Sequence, residues 1–422
     1  MADFQNRSCL FELLPTELLL KVLRGLPDLT SLDSVLHASP TAYRIFDEYA
    51  VEITETILAC DYQLVVTYNH RPNRSEEIHH GPHAVESGVT CAYIRVMFYM
   101  MAAIRSGRFP VHSLSEFCEK VVDPFWWKTT RRGRATPGYF MPKSLPKDTL
   151  PKVVRSLIAT YRRLNWLSMD CLRFYLARFE STCPAIPAIT KKAFLRGCRM
   201  GPYINDAKAL DEFGGIPIKP RDPGPPSWVE EQRAARAFWR LQLLYDLRRA
   251  ARANLLNTWP ADDVDTLRSY GQTQLLFLYD PTHVLNPNPH RRPEKDEIYS
   301  AAQYLERAHG CHWPDEVPGG LQVSRASEWW LLPRHEVRGD KLLAQPSAAC
   351  LAWPRLAGHL GWWELARVMG LGFAFWGEER LRGRGLLGNP RQIGDWGSFK
   401  YAFVWHSMVS GAKPATCDVW ED

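Results

Sequence analysis

The stretch "LFELLPTELLLKVLRGLPDLTSLDSVLHASPTAYRIF", Leu10–Phe46, is dense in leucine and is punctuated by prolines and small polar residues. A segment of this size holds about three short helices, and a unit below about 40 residues rarely closes a hydrophobic core unaided. Its leucines exceed what so small a unit can bury. We therefore expect part of its apolar surface to pack on something else.

The first predicted helix begins at Leu14-Pro15, with proline in the first turn and Glu17 near the positively charged helix end. At about 100° per residue, its apolar side chains form one broad face. The members of that face are Leu18, Leu19, Val22, Leu23 and Leu26. Leu20 lies outside the face, which is typical of a helix that is buried by more than its own domain.

Two further helix starts follow in the same stretch. Thr30 and Asp33 have the spacing of a capping box, with aspartate in place of glutamate, and predict the start of a second helix. Ser39-Pro40 reads as an N-cap followed by a first-position proline, and predicts the start of a third. The opening stretch is therefore predicted to be a three-helix unit.

The remainder of the chain also reads as mostly helical. Ser227 and Glu230 form a second capping-box pattern, which predicts a helix through Trp228–Leu256. Further helical patterns cover Val51–Leu58, Val89–Ile104, Leu114–Val122, Val153–Phe179, Val264–Leu278 and Glu294–His309. Because period-two alternation is scarce, the predicted fold class is mainly α.

The segment "GGIPIKPRDPGPP", Gly214–Pro226, is the predicted linker, because prolines at this density cannot continue a helix or a central strand. It divides the chain into regions of different composition. The predicted organisation is a three-helix unit at 8–50, a helical region at 51–213, the linker at 214–226 and a tryptophan-rich helical region at 227–422.

Composition excludes several classes of protein. The chain has 422 residues and a net charge of +6 from 52 basic and 46 acidic side chains, so charge alone nominates no partner. The start of the sequence lacks the pattern of a secretory signal, and the ten cysteines include no CxxC pair. We expect free thiols and an intracellular location, in cytoplasm or nucleus. The best membrane candidate, Gly88–Ile104, carries Arg95 in its middle and predicts a buried helix instead.

Motifs that would carry chemistry are weak. "GRGLLG", Gly383–Gly388, fits a phosphate-binding glycine pattern, but no β-rich segment precedes it. His79, His80 and His83 surround a Gly-Pro break, and "HGCHW", His309–Trp313, spaces its ligands too closely for one ion. No GxSxG, HExxH or Walker pattern occurs. The sequence therefore predicts no catalytic residue, no metal site and no cofactor.

Two aromatic segments have a structural and a binding interpretation. The basic run Lys128–Arg134 adjoins three aromatic residues, which favours a solvated loop beside core aromatics over nucleic-acid binding. Ten of the 16 tryptophans lie beyond His309, at Trp313, Trp329, Trp330, Trp353, Trp362, Trp363, Trp376, Trp396, Trp405 and Trp420. We take them as core residues first, and as a hypothetical target-recognition surface second.

The opening stretch resembles an F-box motif. The resemblance is carried by Leu14-Pro15-x-Glu17-Leu18, Val22-Leu23, Leu26-Pro27, Leu32, Val35 and Leu36. Where many F-boxes carry a basic residue and a tryptophan in the third helix, this chain has "ASPTAYRIF", a variant similar to that of F-box-like proteins of filamentous fungi. The segment "GFAFWGEERLRGRGLLG", Gly372–Gly388, is also similar to segments in those proteins.

The resemblance implies a binding adaptor rather than an enzyme. An F-box docks on a Skp-type adaptor, which joins a cullin-based ubiquitin ligase, while the rest of the chain selects a protein target. The resemblance implies a set of residues that contribute to the adaptor contact or to the small core that shapes it: Leu14, Pro15, Leu18, Leu19, Leu20, Leu23, Leu26, Val35 and Leu36. Two alternatives stay open: an F-box-like interaction protein with no role in degradation, and a cryptic enzyme in the helical C-terminal region.

Overall fold

The computed structural model describes residues 14–69, 89–122, 144–187, 215–219, 224–270, 278, 293–309, 367–387 and 404–408. Within these ranges the chain is mainly helical, and the predicted fold class is confirmed. Side chains are described for all of these residues except 60–69, 89–93, 187, 215, 293 and 294.

The opening stretch forms helices α1 (Thr16–Arg24), α2 (Leu29–Ala38) and α3 (Pro40–Asn69). The predicted cap of α3 is confirmed, because the Ser39 hydroxyl accepts the Ala42 amide at 3.1 Å. The predicted Thr30–Asp33 cap of α2 is wrong. Asp28 is the N-cap, with its carboxylate 2.7 Å from the Ser31 amide, and this places Thr30 inside the helix.

Helix α3 is longer than the sequence predicts. The third predicted helix and the separate helix predicted at Val51–Leu58 form one 30-residue element. Tyr49 interrupts it with non-helical dihedral angles, φ −120° and ψ 25°, so that the two halves meet at a kink. The chain therefore crosses the predicted domain boundary at residue 50 within a helix.

The middle of the chain supplies α4 (Val89–Arg105), the single turn α5 (Leu114–Phe117), a π-helical turn (Cys118–Val122) and the long helix α6 (Pro151–Glu180). The membrane candidate is confirmed as a buried helix, since residues 96–104 of α4 all lie in the interior. Within the described ranges, no helix combines the length and apolar character that a membrane crossing requires.

The capping box at Ser227 and Glu230 is confirmed, with both reciprocal bonds present at the start of α7 (Trp228–Arg252). Helices α8 (Ala261–Ser269) and α9 (Pro293–His309) follow. The prediction of α8 through to Leu278 is wrong: Tyr270 leaves the helical region at ψ 124° and Leu278 lies in a turn.

Part of the predicted linker pairs as a strand. β1 (Ala185–Pro187) and β2 (Gly215–Pro217) form a two-stranded antiparallel sheet, with Ile186 opposite Ile216. Proline is tolerated here because both strands of a two-stranded sheet are edges.

The described part of the C-terminal glycine pattern, residues 383–387, follows a short helix. Helix α10 (Glu378–Gly383) ends where the GRGLLG stretch begins, and Gly385 turns the chain at φ +68°. Trp376 and Trp405 are fully buried. These two tryptophans are therefore core residues, and the other eight beyond His309 lie outside the described residues.

Helices α6 and α7 pack against each other at the centre of the described fold. Around this pair, α4 packs on α7 and α6, α9 packs on α7, and α2 and α3 pack on α6, while α1 packs on α3. One continuous hydrophobic core runs through all of these helices, from Leu19 in α1 to Trp405 near the end of the described residues. The fold therefore places α1 at its outer edge.

Candidate functional site

Helix α1 has two apolar faces, and in the part of the chain that the structure describes one of them is buried and the other stays exposed. Leu19 and Leu23 are fully buried. Leu18 and Val22, one turn apart, stay 45% and 40% exposed, and Pro15 before them is exposed as well. At helical spacing Leu18 and Val22 lie about 40° apart. Pro15 is the N-cap of α1, with ψ 148°, and not a residue of its first turn as predicted. We call Pro15, Leu18 and Val22 the outer stripe of α1.

The other residues of the predicted adaptor contact are placed differently. Leu36 is buried like Leu19 and Leu23, while Leu14, Leu20, Leu26 and Val35 are half-buried against the core. The predicted set is thus divided between exposed residues of the outer stripe and residues that are buried or half-buried beneath it. Val22 belongs to the stripe but not to the predicted contact set, although its spacing four residues after Leu18 pointed to it.

Charged residues of both signs flank the outer stripe. Glu17 and Lys21 are exposed on α1. At the end of the helix, Arg24 donates a hydrogen bond to Glu52 of α3 at 2.5 Å, in a pair that stays partly open to solvent. The outer stripe is therefore an exposed apolar strip between charged neighbours.

Two ion pairs fasten the N-terminal helices to the long helix α6. Arg162 donates to Asp33 of α2 at 2.6 Å, and the Asp33 side chain is only 7% exposed. Arg155 pairs with Asp47 of α3 and its guanidinium lies 4.5 Å from the centre of the Tyr43 ring. The stripe is therefore presented by a unit that is tied to the main body of the fold.

Tyr304, His309 and Asp170 form a cluster at the end of α9. Among the described residues, this cluster gives the best support for the alternative that the chain is an enzyme. The Tyr304 hydroxyl donates to Asp170 of α6, and the Nε2 atom of His309 lies 2.7 Å from the same hydroxyl. Burial raises the pKa of Tyr304, and burial lowers the pKa of His309 despite the nearby Asp170 carboxylate. The hydrogen bond from Tyr304 to Asp170 joins α9 to α6, and His309 lies on the same hydroxyl.

Two observations in the described residues concern cysteine and metal chemistry. Cys171 is fully buried and burial raises its pKa, which suppresses the reactive thiolate. Among the residues that the structure describes, no group of three or more His, Cys, Asp or Glu could hold a metal ion. The histidine loop at His79–His83 and the basic run Lys128–Arg134 lie outside the described residues.

The chain matches no protein-family model, no curated protein and no solved structure with which it was compared.

Proposed function

We propose that the chain is the substrate-recruiting subunit of a cullin-based ubiquitin ligase, and that it binds a Skp-type adaptor through the outer stripe of α1. The observation that carries the proposal is the division of α1 into an inner face, Leu19 and Leu23, and an outer stripe that stays exposed. The F-box resemblance of the same stretch supplies the identity of the partner.

The outer stripe has the chemistry of a helix that docks in a groove. Leu18 and Val22 are anchors at i and i+4, with Pro15 one turn earlier, which is the arrangement by which a helix lays one apolar face into a partner. Full burial of a leucine or valine side chain is worth about 1.5–3 kcal/mol, and part of that gain is still unused here. Binding would recover it.

The mechanism is proximity. The adaptor holds the chain on the cullin scaffold while the remainder of the chain holds a target protein close to a ubiquitin-charged enzyme. Transfer of ubiquitin is then the work of the partner complex, and the chain itself needs no catalytic residue, metal or cofactor.

Co-purification with a Skp-type adaptor tests the proposal. We expect the wild-type chain to retain the adaptor and the Leu18→Glu/Val22→Glu variant to lose it, because two charges would have to enter an apolar groove. Leu150→Glu is the matched control, since Leu150 is a 54% exposed leucine that lies far from α1 in sequence, just before α6. Equal retention by all three chains, or none by the wild type, would refute the proposal.

The same experiment separates a ligase subunit from an interaction protein with no degradation role. A ligase subunit brings the cullin down together with the adaptor, and the cullin disappears in the Leu18→Glu/Val22→Glu variant. Recovery of the adaptor without the cullin would favour the non-degradative alternative.

A further inference from the structure

We infer that helices α1 to α3 and the body formed by α4, α6, α7 and α9 are one cooperative unit, in which Arg155 and Arg162 of α6 fix the orientation of the outer stripe. These two arginines are positioning residues. The inference concerns the free chain, so it does not depend on which partner the stripe binds.

The first support is the continuous core. Leu32 of α2 and Phe46 of α3 are fully buried in the same hydrophobic cluster as Leu157 and Ile158 of α6. α2 and α3 both pack directly on α6. We call this contact of α2 and α3 with α6 the joint. Separating the helices at the joint would expose apolar surface on both sides, at a cost of about 25 cal/mol per Å². A flexible linker would leave no such shared core.

The second support is a charged clamp across the joint. Arg155 and Arg162 lie seven residues apart, two turns along one face of α6, and pair with acidic residues on two different helices. Asp33, the partner of Arg162, is nearly inaccessible, so removal of the Arg162 side chain would leave a poorly solvated carboxylate without this counter-charge. Two pairs on two helices resist rotation as well as separation.

The third support concerns the kink at Tyr49, which is the natural place for a hinge. Asp47, just before the kink, is held by Arg155 of α6. Glu52, just after it, is held by Arg24 of α1. A bend at Tyr49 that moved α3 away from both α1 and α6 would therefore break these two ion pairs. One ion pair lies on each side of the kink, so α3 is bent but held in one conformation.

The functional consequence is a constant geometry. A protein docked on the outer stripe is held at one distance and one angle from any surface of α6, α7 or α9. For a subunit that works by proximity, the joint then determines which part of a target faces the partner complex.

Hydrogen exchange of the intact chain, followed by mass spectrometry of its peptides, tests the inference. In the wild type we expect amides of α2 and of the first half of α3 to be as protected as those of α6 and α7, because they open only with the whole unit. Exchange from α2 and α3 that is more than tenfold faster than from α6 would overturn the inference. This wild-type result decides the matter even if a variant fails to fold.

The clamp is tested by Arg155→Ala/Arg162→Ala in the same measurement. We expect exchange in α2 and α3 to rise by about tenfold or more while α7 and α9 stay protected, because the buried Asp33 loses its partner. Arg108→Ala, which removes an arginine from the exposed pair with Asp148, is the control and leaves α2 and α3 unchanged. An equal rise in every helix would mean that the arginines stabilise the fold without positioning the unit.

Discussion

Glu230 and Arg380 form a buried ion pair across 150 positions of sequence, with the Arg380 Nε atom 3.0 Å from the nearer carboxylate oxygen. The same carboxylate accepts the Gly377 amide at 2.8 Å and the Ser227 amide at 2.8 Å. Arg380 also donates to the two backbone carbonyls of residues 224–225. One carboxylate therefore joins the end of the proline-rich segment, the start of α7 and the start of α10.

The first prediction follows from this pair. Glu230→Gln leaves a buried guanidinium without its counter-charge, and we expect it to lower the free energy of unfolding by about 3–5 kcal/mol. Glu378→Gln is the control, because Glu378 and its partner Arg382 form an exposed pair on α10. Urea denaturation should show a clear loss for Glu230→Gln and no measurable loss for the control. Similar values for the two variants would contradict the prediction.

A second prediction concerns Gly372, which has φ +81° and no space for a side chain. A Cβ atom there would lie 2.7 Å from Tyr175 Cβ and 2.9 Å from Trp376 Cζ2. Gly372→Ala therefore combines backbone strain of about 1–2 kcal/mol with overpacking of about 1–3 kcal/mol. Gly224→Ala is a matched control, because Gly224 also has positive φ, +74°, but open space around it.

Thermal unfolding separates the two contributions at these glycines. Gly224→Ala should lower the melting temperature through backbone strain alone, and Gly372→Ala should lower it considerably further. Equal shifts would show that the core around Tyr175 and Trp376 relaxes to accept a methyl group.

Local signals in the sequence were sufficient to predict much of the fold. The serine and glutamate of the capping box are three residues apart, and the apolar period of α6 repeats every turn, so both are visible in a short window. The partner of Glu230 could not be found in this way. Arg380 lies 150 residues later in a segment rich in arginine, and which guanidinium reaches the carboxylate depends on how α10 packs.

The same limit explains the prediction for α1. The helical period places Leu18 and Leu19 on one broad face, because they are only about 100° apart. Which of them is buried depends on where α3 lies, and that is a tertiary fact. Asp28 was not predicted as the N-cap of α2, because Thr30 and Asp33, which begin two residues later, also have the three-residue spacing of a helix cap. The contact between α2 and α6 could not be predicted from a short window either, because it pairs Asp33 with Arg162, 129 residues later.

The third prediction compares the stability of variants at Leu18 and Leu19. Leu19→Ala removes a fully buried side chain and should lower the free energy of unfolding by about 2–5 kcal/mol. Leu18→Ala, on the neighbouring position of the same helix, should change it by less than about 0.5 kcal/mol, since its side chain is 45% exposed. Chemical denaturation of both variants checks this. A large loss for Leu18→Ala would mean that the outer stripe is internal packing.

The fourth prediction concerns Glu231, where burial and the neighbouring Glu230 charge raise the pKa from 4.5 to about 7. Between these two values the unfolded chain has lost the proton that the folded chain keeps. Stability therefore falls as pH rises from about 4.5 to about 7. Glu231→Gln removes this slope and should stabilise the chain at pH 8 relative to the wild type, with little difference at pH 4.5. Denaturation midpoints at the two pH values test it.

The fifth prediction concerns His309, whose pKa is lowered from 6.5 by burial. Below pH 6.5 the unfolded chain takes up a proton that the folded chain resists, so this histidine makes stability fall as pH falls. Its slope opposes that of Glu231, and a wild-type curve between pH 4.5 and 6.5 would show only their difference. The single variants separate them: His309→Gln should lose less stability on acidification than the wild type, and Glu231→Gln more. If His309→Gln followed the wild-type curve, the histidine would not be buried beside Tyr304 and Asp170.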